Sequence, residues 1–284
     1  MSVNLFPIPA MGIIKFKVCI LNVIALSLNN LSLVVNINFS IILPCYNEDS
    51  NIHGLYKELI SLQVNNIFFE VIFVNNGSTD ETSTKIDEII ENLSQSNVQN
   101  FMITKLDLKL NQGYGGGILE GLNIAKGEFI GWTHADLQTP LNDFLELYYL
   151  LRGKKKIFGK GKRVNNRGFD SLVTKMHEIS ATIILGKNLS EINAQPKFFH
   201  RNDLNKFNNP PRKWTTVDTY FYYKSLKNNF QIIELDVVFK PRIHGHSKWK
   251  NNLLVFIKHL FFNFVYLFKL KFNDKKNNAT EFDT

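Results

Sequence analysis

The feature that most constrains the fold is a regular alternation of short apolar runs and helix-like segments that begins at Phe39. Each apolar run has the length of a strand, and each intervening segment repeats its apolar residues at the spacing of an amphipathic helix. This alternation is typical of a mostly parallel sheet with helices on both faces, a Rossmann-like α/β architecture. The predicted strands are 39–43, 70–74, 101–106, 128–132, 156–159 and 231–239, and the predicted helices are 51–63, 81–93, 115–125, 141–151, 169–185 and 217–227.

The stretch GWTHADLQTP follows a predicted strand and carries polar side chains at alternate positions. In an extended chain residues two apart share a face, so His134, Asp136 and, if the extension persists, Gln138 would point the same way. Three such side chains at a strand end have the geometry of a metal site. The carboxyl ends of parallel strands are also the edge where open α/β sheets bind ligands. The alternative is a polar strand exit that leads into a helix near Pro140.

Three other strand exits carry groups that suit a nucleotide. In LPCYNE, the ring of Tyr46 can stack on a base, and the carboxylate of Glu48 can accept from base or ribose donors. VNNGSTDET places Asn75 and Asn76 at the same edge, while capping of the next helix explains its Ser-Thr-Asp turn. NQGYGGGILEGL opens a helix whose backbone N–H groups could approach a phosphate. Because Ile118 replaces the third glycine of a dinucleotide fingerprint, a nicotinamide enzyme is disfavoured.

Charge and cysteine content narrow the class of function. The chain of 284 residues has 33 Lys and Arg against 25 Asp and Glu, and the net charge of +8 favours an anionic partner. No zinc-finger spacing or arginine-rich arm directs this charge to nucleic acid, so we expect no nucleic-acid partner. Two cysteines are too few for a disulfide framework, and a reducing cytosolic setting is therefore the default.

Taken in order, the segments LPCYNE, VNNGSTDET and NQGYGGGILEGLNIAKGEFIGWTHADLQTP resemble the nucleotide-sugar half of family-two glycosyltransferases with the GT-A fold. They are most similar to the branch of polyprenyl (dolichyl) phosphate sugar synthases, whose equivalent signature reads D-x-D-x-Q. The resemblance runs from about residue 39 to residue 250. It implies a GT-A fold and the activity of a hexosyltransferase.

The resemblance implies that two strand exits bind the nucleotide of a sugar donor. Pro44, Tyr46 and Glu48 match the family's first nucleotide-contacting turn, and Val74 with Asn76 match the second. The family usually has aspartate at the position of Asn76. An amide both accepts and donates hydrogen bonds whereas a carboxylate only accepts them, so the choice between a GDP-sugar and a UDP-sugar stays open.

The resemblance also implies a divalent metal at the fourth strand exit. His134, Ala135 and Asp136 occupy the metal-and-diphosphate motif, and Gln138 matches a further metal contact. Asp136 is thus implied as a catalytic carboxylate. His134 departs from the motif, since it replaces the first carboxylate. Oxygen ligands suit Mg2+, whereas an imidazole ligand would favour Mn2+, and His134 binding to the sugar or diphosphate is the alternative. We expect Mg2+ or Mn2+ as the cofactor.

Basic residues further along match the anion contacts of the family. Arg163 matches an arginine near the donor, with a solvated basic loop as the alternative. Arg242 and Lys248, in PRIHGHSKW, match a basic segment that closes over the diphosphate. In EINAQPKFFHRN, Lys197 and Arg201 are the expected contacts for an acceptor phosphate.

Asp218, in KWTTVDTYF, falls where related transferases place an acidic residue that faces the acceptor. It is therefore the second predicted catalytic residue, a general base for an acceptor hydroxyl. A phosphate acceptor is already ionised and needs little such help. The alternative is an aspartate that caps a helix or is paired in the core.

The chain divides into three predicted regions. Residues 39–250 form the GT-A domain, and residues 1–38 form an N-terminal extension that includes an apolar, potentially membrane-associated stretch. Residues 251–284 form an amphipathic helix followed by a polar tail. The aromatic residues and lysines of this helix suit a bilayer surface, and packing on the domain or on a partner subunit is the alternative.

These observations predict a metal-dependent, inverting hexosyltransferase that uses a nucleotide-sugar donor and a polyprenyl-phosphate or other lipid-linked acceptor. We expect it to act at the membrane surface, as a peripheral protein of the cytoplasmic face. One alternative is a transferase that adds a sugar to a hydroxyl of a surface glycan or lipopolysaccharide precursor. Another is a scaffold that binds nucleotide-sugars without turnover. A second copy of the chain, in a homo-oligomer, is a further candidate partner.

Overall fold

Strands and helices alternate along the chain in the predicted order. The computed structural model describes residues 36–242 and 253–282, apart from 63, 65, 97–99, 166–168 and 214. The strands are β1 (Phe39–Cys45), β2 (Phe69–Asn76), β3 (Phe101–Leu108), β4 (Phe129–Trp132), β5 (Ile157–Arg163), β6 (Lys197–His200) and β7 (Gln231–Val237). The helices are α1 (Asp49–Ser61), α2 (Thr82–Ser94), α3 (Gly113–Ile124), α4 (Asn142–Leu151), α5 (Phe169–Leu185), α6 (Thr216–Lys227) and α7 (Leu253–Phe282), with a 3-10 turn at Arg201–Lys206.

The strands form one sheet in the order β3-β2-β1-β4-β6-β5-β7. Neighbouring strands are parallel except for β6, which is antiparallel to both β4 and β5. The predicted mostly parallel sheet is therefore confirmed. Strand β6 was not predicted, because its sequence KFFH has a polar residue at each end and so is not a continuous apolar run like β4.

Side chains of β1 alternate between two hydrophobic clusters on opposite faces of the sheet. Ile41 and Leu43 belong to the cluster that includes residues of α1, α2 and α4. Ile42, between them, belongs to the cluster that includes residues of α3, α5, α6 and α7. Since successive residues of a strand point to opposite faces, helices cover both faces of the sheet as predicted.

Helix α7 continues to Phe282 and so includes most of the residues that were predicted as a polar tail. Leu267 and Leu270 are buried in the same cluster as residues of α6. Asp274, further along, accepts a hydrogen bond from Tyr223 Oη at 2.6 Å and forms an ion pair with Lys227 Nζ at 2.9 Å. These contacts anchor the polar half of α7 to the domain.

In the described part of the chain, no helix combines the length and apolar character that crossing a membrane requires. The predicted membrane-associated stretch lies within residues 1–35, which are outside the described residues.

Candidate active site

The turns after β1 and β2 lie side by side at one edge of the sheet. Pro44 and Val74 are register partners on these strands, and Val74 is fully buried. The backbone N–H of Asn47 donates to Ser78 Oγ at 3.1 Å and so joins the two turns. Pro44 and Val74 are therefore neighbours on adjacent strands, directly before the two turns.

Tyr46 and Glu48 lie at this edge, both partly exposed. The Oε2 atom of Glu48 accepts a hydrogen bond from Asn51 Nδ2 at 2.7 Å, which holds the carboxylate beside the start of α1. The structure thus brings both residues to the predicted place, and their contact with a nucleotide stays a prediction.

The side chain of Asn76 braces the loop before α3. Its Nδ2 donates to the carbonyl of Gly113 at 2.9 Å, and its Oδ1 accepts from the backbone N–H of Gln112 at 2.9 Å. A carboxylate could not make the first of these bonds, which explains the amide at this position. Because Asn76 is buried and both ends are bonded, this arrangement does not support the predicted donor contact.

The glycine-rich start of α3 is covered by the loop around Arg212. The N–H of Gly116 donates to the carbonyl oxygen of Arg212 at 2.8 Å. A Cβ atom on Gly115 would lie 2.9 Å from the carbonyl oxygens of Pro211 and Arg212. The close approach of this loop therefore accounts for glycine at position 115, and one of the N–H groups expected to face a phosphate is already bonded.

The chain turns sharply after β4 and does not stay extended. Leu137 has a φ of 59°, in the left-handed region, and its side chain is buried. A Cβ atom on Gly54 would lie 2.5 Å from Leu137 Cδ1, so glycine in α1 makes room for this turn. The extension therefore does not persist as far as Gln138, and the condition for placing Gln138 on the same face as His134 and Asp136 is not met. The turn brings two of the three together, and Asp136 Oδ1 accepts from the backbone N–H of Gln138 at 3.2 Å.

Arg242 contacts the oxygen atoms of both residues. Its Nη2 lies 2.8 Å from Asp136 Oδ2, and its Nε donates to Gln138 Oε1 at 3.0 Å. The carboxylate of Asp136 is only 4% exposed, so this ion pair is largely shielded from water. The structure therefore brings Asp136, Gln138 and Arg242 together at the carboxyl edge, as predicted. Lys248 lies outside the described residues.

His134 packs against Tyr114, and their ring centroids are 5.2 Å apart. Burial lowers the pKa of His134, although Asp136 and Asp218 act in the opposite direction. The imidazole is therefore neutral at pH 7 and retains a nitrogen lone pair that can bind a metal or accept a hydrogen bond. Ala135 is buried in the cluster that includes residues of α1, α2 and α4, so the structure gives no support for its predicted donor contact.

Asp218 lies in the interior and not on an acceptor-facing surface. Its Oδ1 accepts from Trp132 Nε1 and from Gln195 Nε2, both at 3.0 Å, and the residue is fully buried. Its Oδ2 has no hydrogen-bond partner within the described residues. The predicted role as general base requires access to the acceptor, and this arrangement does not provide it. The alternative of a core-paired aspartate fits better.

Arg163 is also largely buried rather than part of a solvated loop. It forms an ion pair with Glu191, and its side chain is 5% exposed. Its guanidinium lies 5.9 Å from the ring centroid of Phe239. Its Nη2 is buried and has no hydrogen-bond partner among the described residues, so it is the part of Arg163 with bonding capacity left.

Neither expected acceptor contact is placed as that role requires, because Lys197 is buried and Arg201 lies at the opposite edge of the sheet. Lys197 is fully buried beside Trp132 in the sheet register and donates to the carbonyl of Ala194. Arg201 lies beyond the amino end of β4, where its Nε donates to the carbonyl of Gly127 at 3.0 Å. Since β6 runs antiparallel to β4, Arg201 is at the edge opposite Asp136. The structure therefore does not bring Arg201 to the site, and Lys197 has no exposed ammonium to offer.

The buried ammonium of Lys197 should make folding depend on pH. Burial lowers the pKa of Lys197 from its ordinary 10.5 to about 7. Between these values the unfolded chain binds more protons, so the free energy of unfolding should rise with pH by up to about 1.4 kcal/mol per unit. Urea unfolding from pH 7 to 9.5 should show this rise in the wild type and its loss in Lys197→Met. Lys162→Met, at a side chain that is 52% exposed, is the control, and parallel profiles for all three would contradict the assignment.

The oxygen atoms near Arg242 fit a divalent cation that is shared with a substrate. Asp136 Oδ2 and Gln138 Oε1 already converge on one cationic group, the guanidinium, which stands in for a metal ion. No group of three or more His, Cys, Asp or Glu residues able to hold a metal occurs within the described residues. Mg2+ sites of this kind use one or two carboxylates and complete the shell with water and substrate phosphates. The residues therefore fit a metal that is held jointly with a diphosphate.

Tyr114 and Gln195 belong to the site although the sequence did not single them out. Gln195 Nε2 donates to Tyr114 Oη at 3.1 Å as well as to Asp218, so it links the ring that packs on His134 to the buried carboxylate. In the sequence, the signal that could have indicated a role for Tyr114 is its position within the glycine-rich segment NQGYGGG.

The sheet order, with one antiparallel strand beyond β4 and a carboxylate turn at its carboxyl end, defines an α/β protein of the GT-A class. A mannosyltransferase from Pyrobaculum calidifontis in complex with GDP-Man and Mn2+ is similar, with a TM-score of 0.61 and 17% identity over 83% of this chain and 65% of that chain. Glucosyl-3-phosphoglycerate synthase from Mycobacterium tuberculosis, in complex with Mn2+, UDP and glucosyl-3-phosphoglycerate, is also similar, with a TM-score of 0.57. The two chains are 16% identical over 81% of this chain and 79% of that chain. These likenesses confirm the predicted fold.

Residues 40–217 match the sequence profile of Glycosyl transferase family 2, and the chain belongs to this family. An undecaprenyl-phosphate 4-deoxy-4-formamido-L-arabinose transferase from Proteus mirabilis is 23% identical over 74% of this chain and 62% of its own length. A dolichyl-phosphate beta-glucosyltransferase from Dictyostelium discoideum is 30% identical over 38% of this chain and 34% of its own length. The chain thus spans less than two thirds of the curated relatives it matches.

Proposed function

We propose that this protein transfers a hexose from a GDP- or UDP-sugar to polyprenyl phosphate or another lipid-linked acceptor, with inversion at the anomeric carbon. The observation that carries the proposal is the convergence of Asp136 and Gln138 on one cationic group at the carboxyl edge of the sheet. Membership of Glycosyl transferase family 2 supports the reaction class, and relatives named for polyprenyl-phosphate substrates support the acceptor.

Asp136 and Gln138 would hold a divalent metal, Mg2+ or Mn2+, with His134 as a neutral neighbour. When bound, the metal neutralises charge that develops on the departing nucleoside diphosphate. Two structural neighbours bind Mn2+, which supports a divalent ion of this type.

The chain's own cations and aromatic rings would orient the donor. The guanidinium of Arg242 presents a planar fork of donors that matches diphosphate oxygens, and it stays charged at every working pH. Preorganised positive charge of this kind often contributes more to catalysis than any other single effect. In this proposal Tyr46 stacks on the base and Glu48 accepts from the ribose, since both are partly exposed in the turn after β1. Lys248 completes the proposed set of donor contacts, by its match to the family's basic segment.

Burial of Asp218 favours a phosphate acceptor over a hydroxyl acceptor. A hydroxyl must lose its proton during attack and needs a base within hydrogen-bond reach. Asp218 is fully buried and bonded to Trp132 and Gln195. A lipid phosphate is already ionised, so its oxygen can attack the anomeric carbon directly while the nucleoside diphosphate leaves from the opposite face.

The outer face of α7 supports a location at the membrane surface, which we place on the cytoplasmic side. This face is opposite the buried residues Leu267 and Leu270, and lysines flank it at Lys258, Lys269 and Lys271. Such an arrangement suits a helix that lies in the interface of an anionic bilayer. The exposed apolar residues of α7 are Leu254, Ile257, Phe261, Phe264, Val265, Phe268 and Phe272.

Helix α5 contributes a second exposed apolar face. Leu172, Met176, Ile179 and Ile183 recur at helical spacing and are all exposed, whereas Ala181 on the opposite side is buried. Helices α5 and α7 contact each other and bury their inner faces in the same cluster. Exposed apolar patches of this extent mark interaction sites.

Release of nucleoside diphosphate tests the proposal. The full-length protein with Mn2+ should release UDP or GDP from one sugar donor of a panel only when vesicles that contain polyprenyl phosphate are added. The Asp218→Asn variant should retain most of this activity, since no base is needed. The matched control is the same assay with an oligosaccharide hydroxyl as acceptor.

The outcomes separate three functions. Turnover with the oligosaccharide and its loss in Asp218→Asn would favour a glycan transferase and contradict the phosphate acceptor. Donor binding with no turnover for any acceptor would favour a scaffold that binds nucleotide-sugars.

A further inference from the structure

Arg242 occupies the oxygen atoms that the proposed metal would need. Its Nη2 lies 2.8 Å from Asp136 Oδ2, and its Nε lies 3.0 Å from Gln138 Oε1. Both contacts are made by one planar guanidinium, through its Nη2 and Nε atoms. A metal ion that bound the same two oxygen atoms would have to displace it.

The backbone holds Arg242 in this position. The N–H of Lys240 donates to the carbonyl of Gln138 at 2.8 Å, and Gln138 Nε2 donates to the carbonyl of Lys240 at 2.9 Å. Just before it, Phe239 exchanges two hydrogen bonds with the side chain of Asn165, at 2.8 and 3.0 Å. The segment that carries Arg242 is therefore fixed to the metal turn at several points, and the ion pair is part of a larger arrangement.

The charge balance explains why a cation must stay at Asp136. A carboxylate that is 4% exposed is costly to leave unpaired, and truncation of one partner of a buried pair is usually strongly destabilising. The guanidinium of Arg242, whose Nη2 lies 2.8 Å from Asp136 Oδ2, supplies this positive charge when no metal is bound.

We propose that Arg242 and the metal ion exchange places at Asp136, and that the donor's diphosphate drives the exchange. The inference rests on the metal and donor site of the proposed function. Without donor, the guanidinium holds Asp136 and Gln138 and opposes metal binding. With donor, the diphosphate offers Arg242 a new anionic partner, which frees both oxygen atoms for the metal. Metal and donor therefore bind cooperatively, and loss of the nucleoside diphosphate returns Arg242 to the carboxylate.

Removal of Arg242 should shift two affinities in opposite directions. Mn2+ binding without nucleotide is measured from the free-ion signal in electron paramagnetic resonance. Arg242→Ala should bind Mn2+ about tenfold more tightly than the wild type, a coupling within the usual range for linked sites. Calorimetry with UDP and with GDP at saturating Mn2+ should show weaker nucleotide binding in the same variant. Damage to the fold would weaken both affinities.

Arg212→Ala is the matched control, because Arg212 is an exposed arginine that pairs with Glu120 and not with Asp136 or Gln138. It should leave the Mn2+ affinity unchanged. Wild-type or weaker Mn2+ affinity in Arg242→Ala, including no measurable binding, would overturn the exchange. These measurements use no acceptor, so a failure of sugar transfer leaves them unaffected. In the Arg242→Ala background, Mn2+ binding that survives Asp136→Asn would instead show that the proposed metal site itself is wrong.

Discussion

The Asp136→Asn variant should lose about 100- to 1000-fold in kcat/KM for metal-dependent sugar transfer. This is the effect seen when one preorganised electrostatic group is removed from an active site. Asparagine keeps the shape of the side chain, and its oxygen can still accept from the N–H of Gln138, which Asp136 Oδ1 does at 3.2 Å. The change therefore removes the negative charge that the metal and Arg242 require. Initial rates at saturating Mn2+, with donor varied, measure the loss.

Asp87→Asn is the control for this prediction. Asp87 is an exposed carboxylate that pairs with Lys105 at 2.8 Å, and such surface pairs contribute little to stability. Its activity should equal that of the wild type. An Asp136→Asn protein that melts at the wild-type temperature yet turns over at near wild-type rate would show that this carboxylate has no part in the reaction.

The Gly131→Ala variant should be destabilised by about 3 kcal/mol or more. A Cβ atom at this position would lie 2.1 Å from the carbonyl oxygen of Lys197 and 2.6 Å from Phe198 Cδ2. The carbonyl oxygen of Lys197 belongs to the backbone of β6, which is paired with β4. The β4 and β6 strands would therefore have to move apart to admit the methyl group. Overpacking of a rigid interior commonly costs about 1–3 kcal/mol, and a backbone collision exceeds the ordinary case. Urea unfolding measures the change in the free energy of unfolding.

Gly153→Asn provides the comparison, since it tests a glycine where space is open. Gly153 has a φ of 76°, and a Cβ atom added there would meet nothing within 4 Å. Asparagine also tolerates the left-handed region better than most other residues. The cost of this substitution should stay within about 1 kcal/mol. If Gly131→Ala lost no more than this control, the close approach of β4 and β6 would be contradicted.

Local sequence patterns predicted the fold because most of the sheet is parallel and each strand is a short apolar run. The position of Asp136 at the carboxyl end of β4 follows from that pattern alone. The burial of Lys197 does not, because it depends on pairing between β4 and β6, two segments far apart in the chain. The same holds for Arg201, whose place at the opposite edge is set by the direction of β6.

The roles of single residues were harder to predict than the edge of the sheet at which those residues lie. Asn76 matched a nucleotide contact by alignment of motifs, yet its amide is used to hold Gln112 and Gly113. Asp218 matched an acidic residue that was predicted to act as a general base, yet it accepts hydrogen bonds from the indole of Trp132 and the amide of Gln195. In each case the partners come from a distant segment, and a motif carries no information about them.

The contact of Asp274 with α6 bears on how this protein can be shortened. Lys224 and Lys227 both pair with Asp274, and Leu267 and Leu270 close one side of the cluster around Trp132 and Phe221. A protein that ended before α7 would expose this hydrophobic cluster to solvent. Lys224 and Lys227 would also lose Asp274, the carboxylate with which they pair. Helix α7 therefore contributes to the hydrophobic core of the domain. Its removal should destabilise the cluster that also contains Trp132, the last residue of β4 before the turn with Asp136.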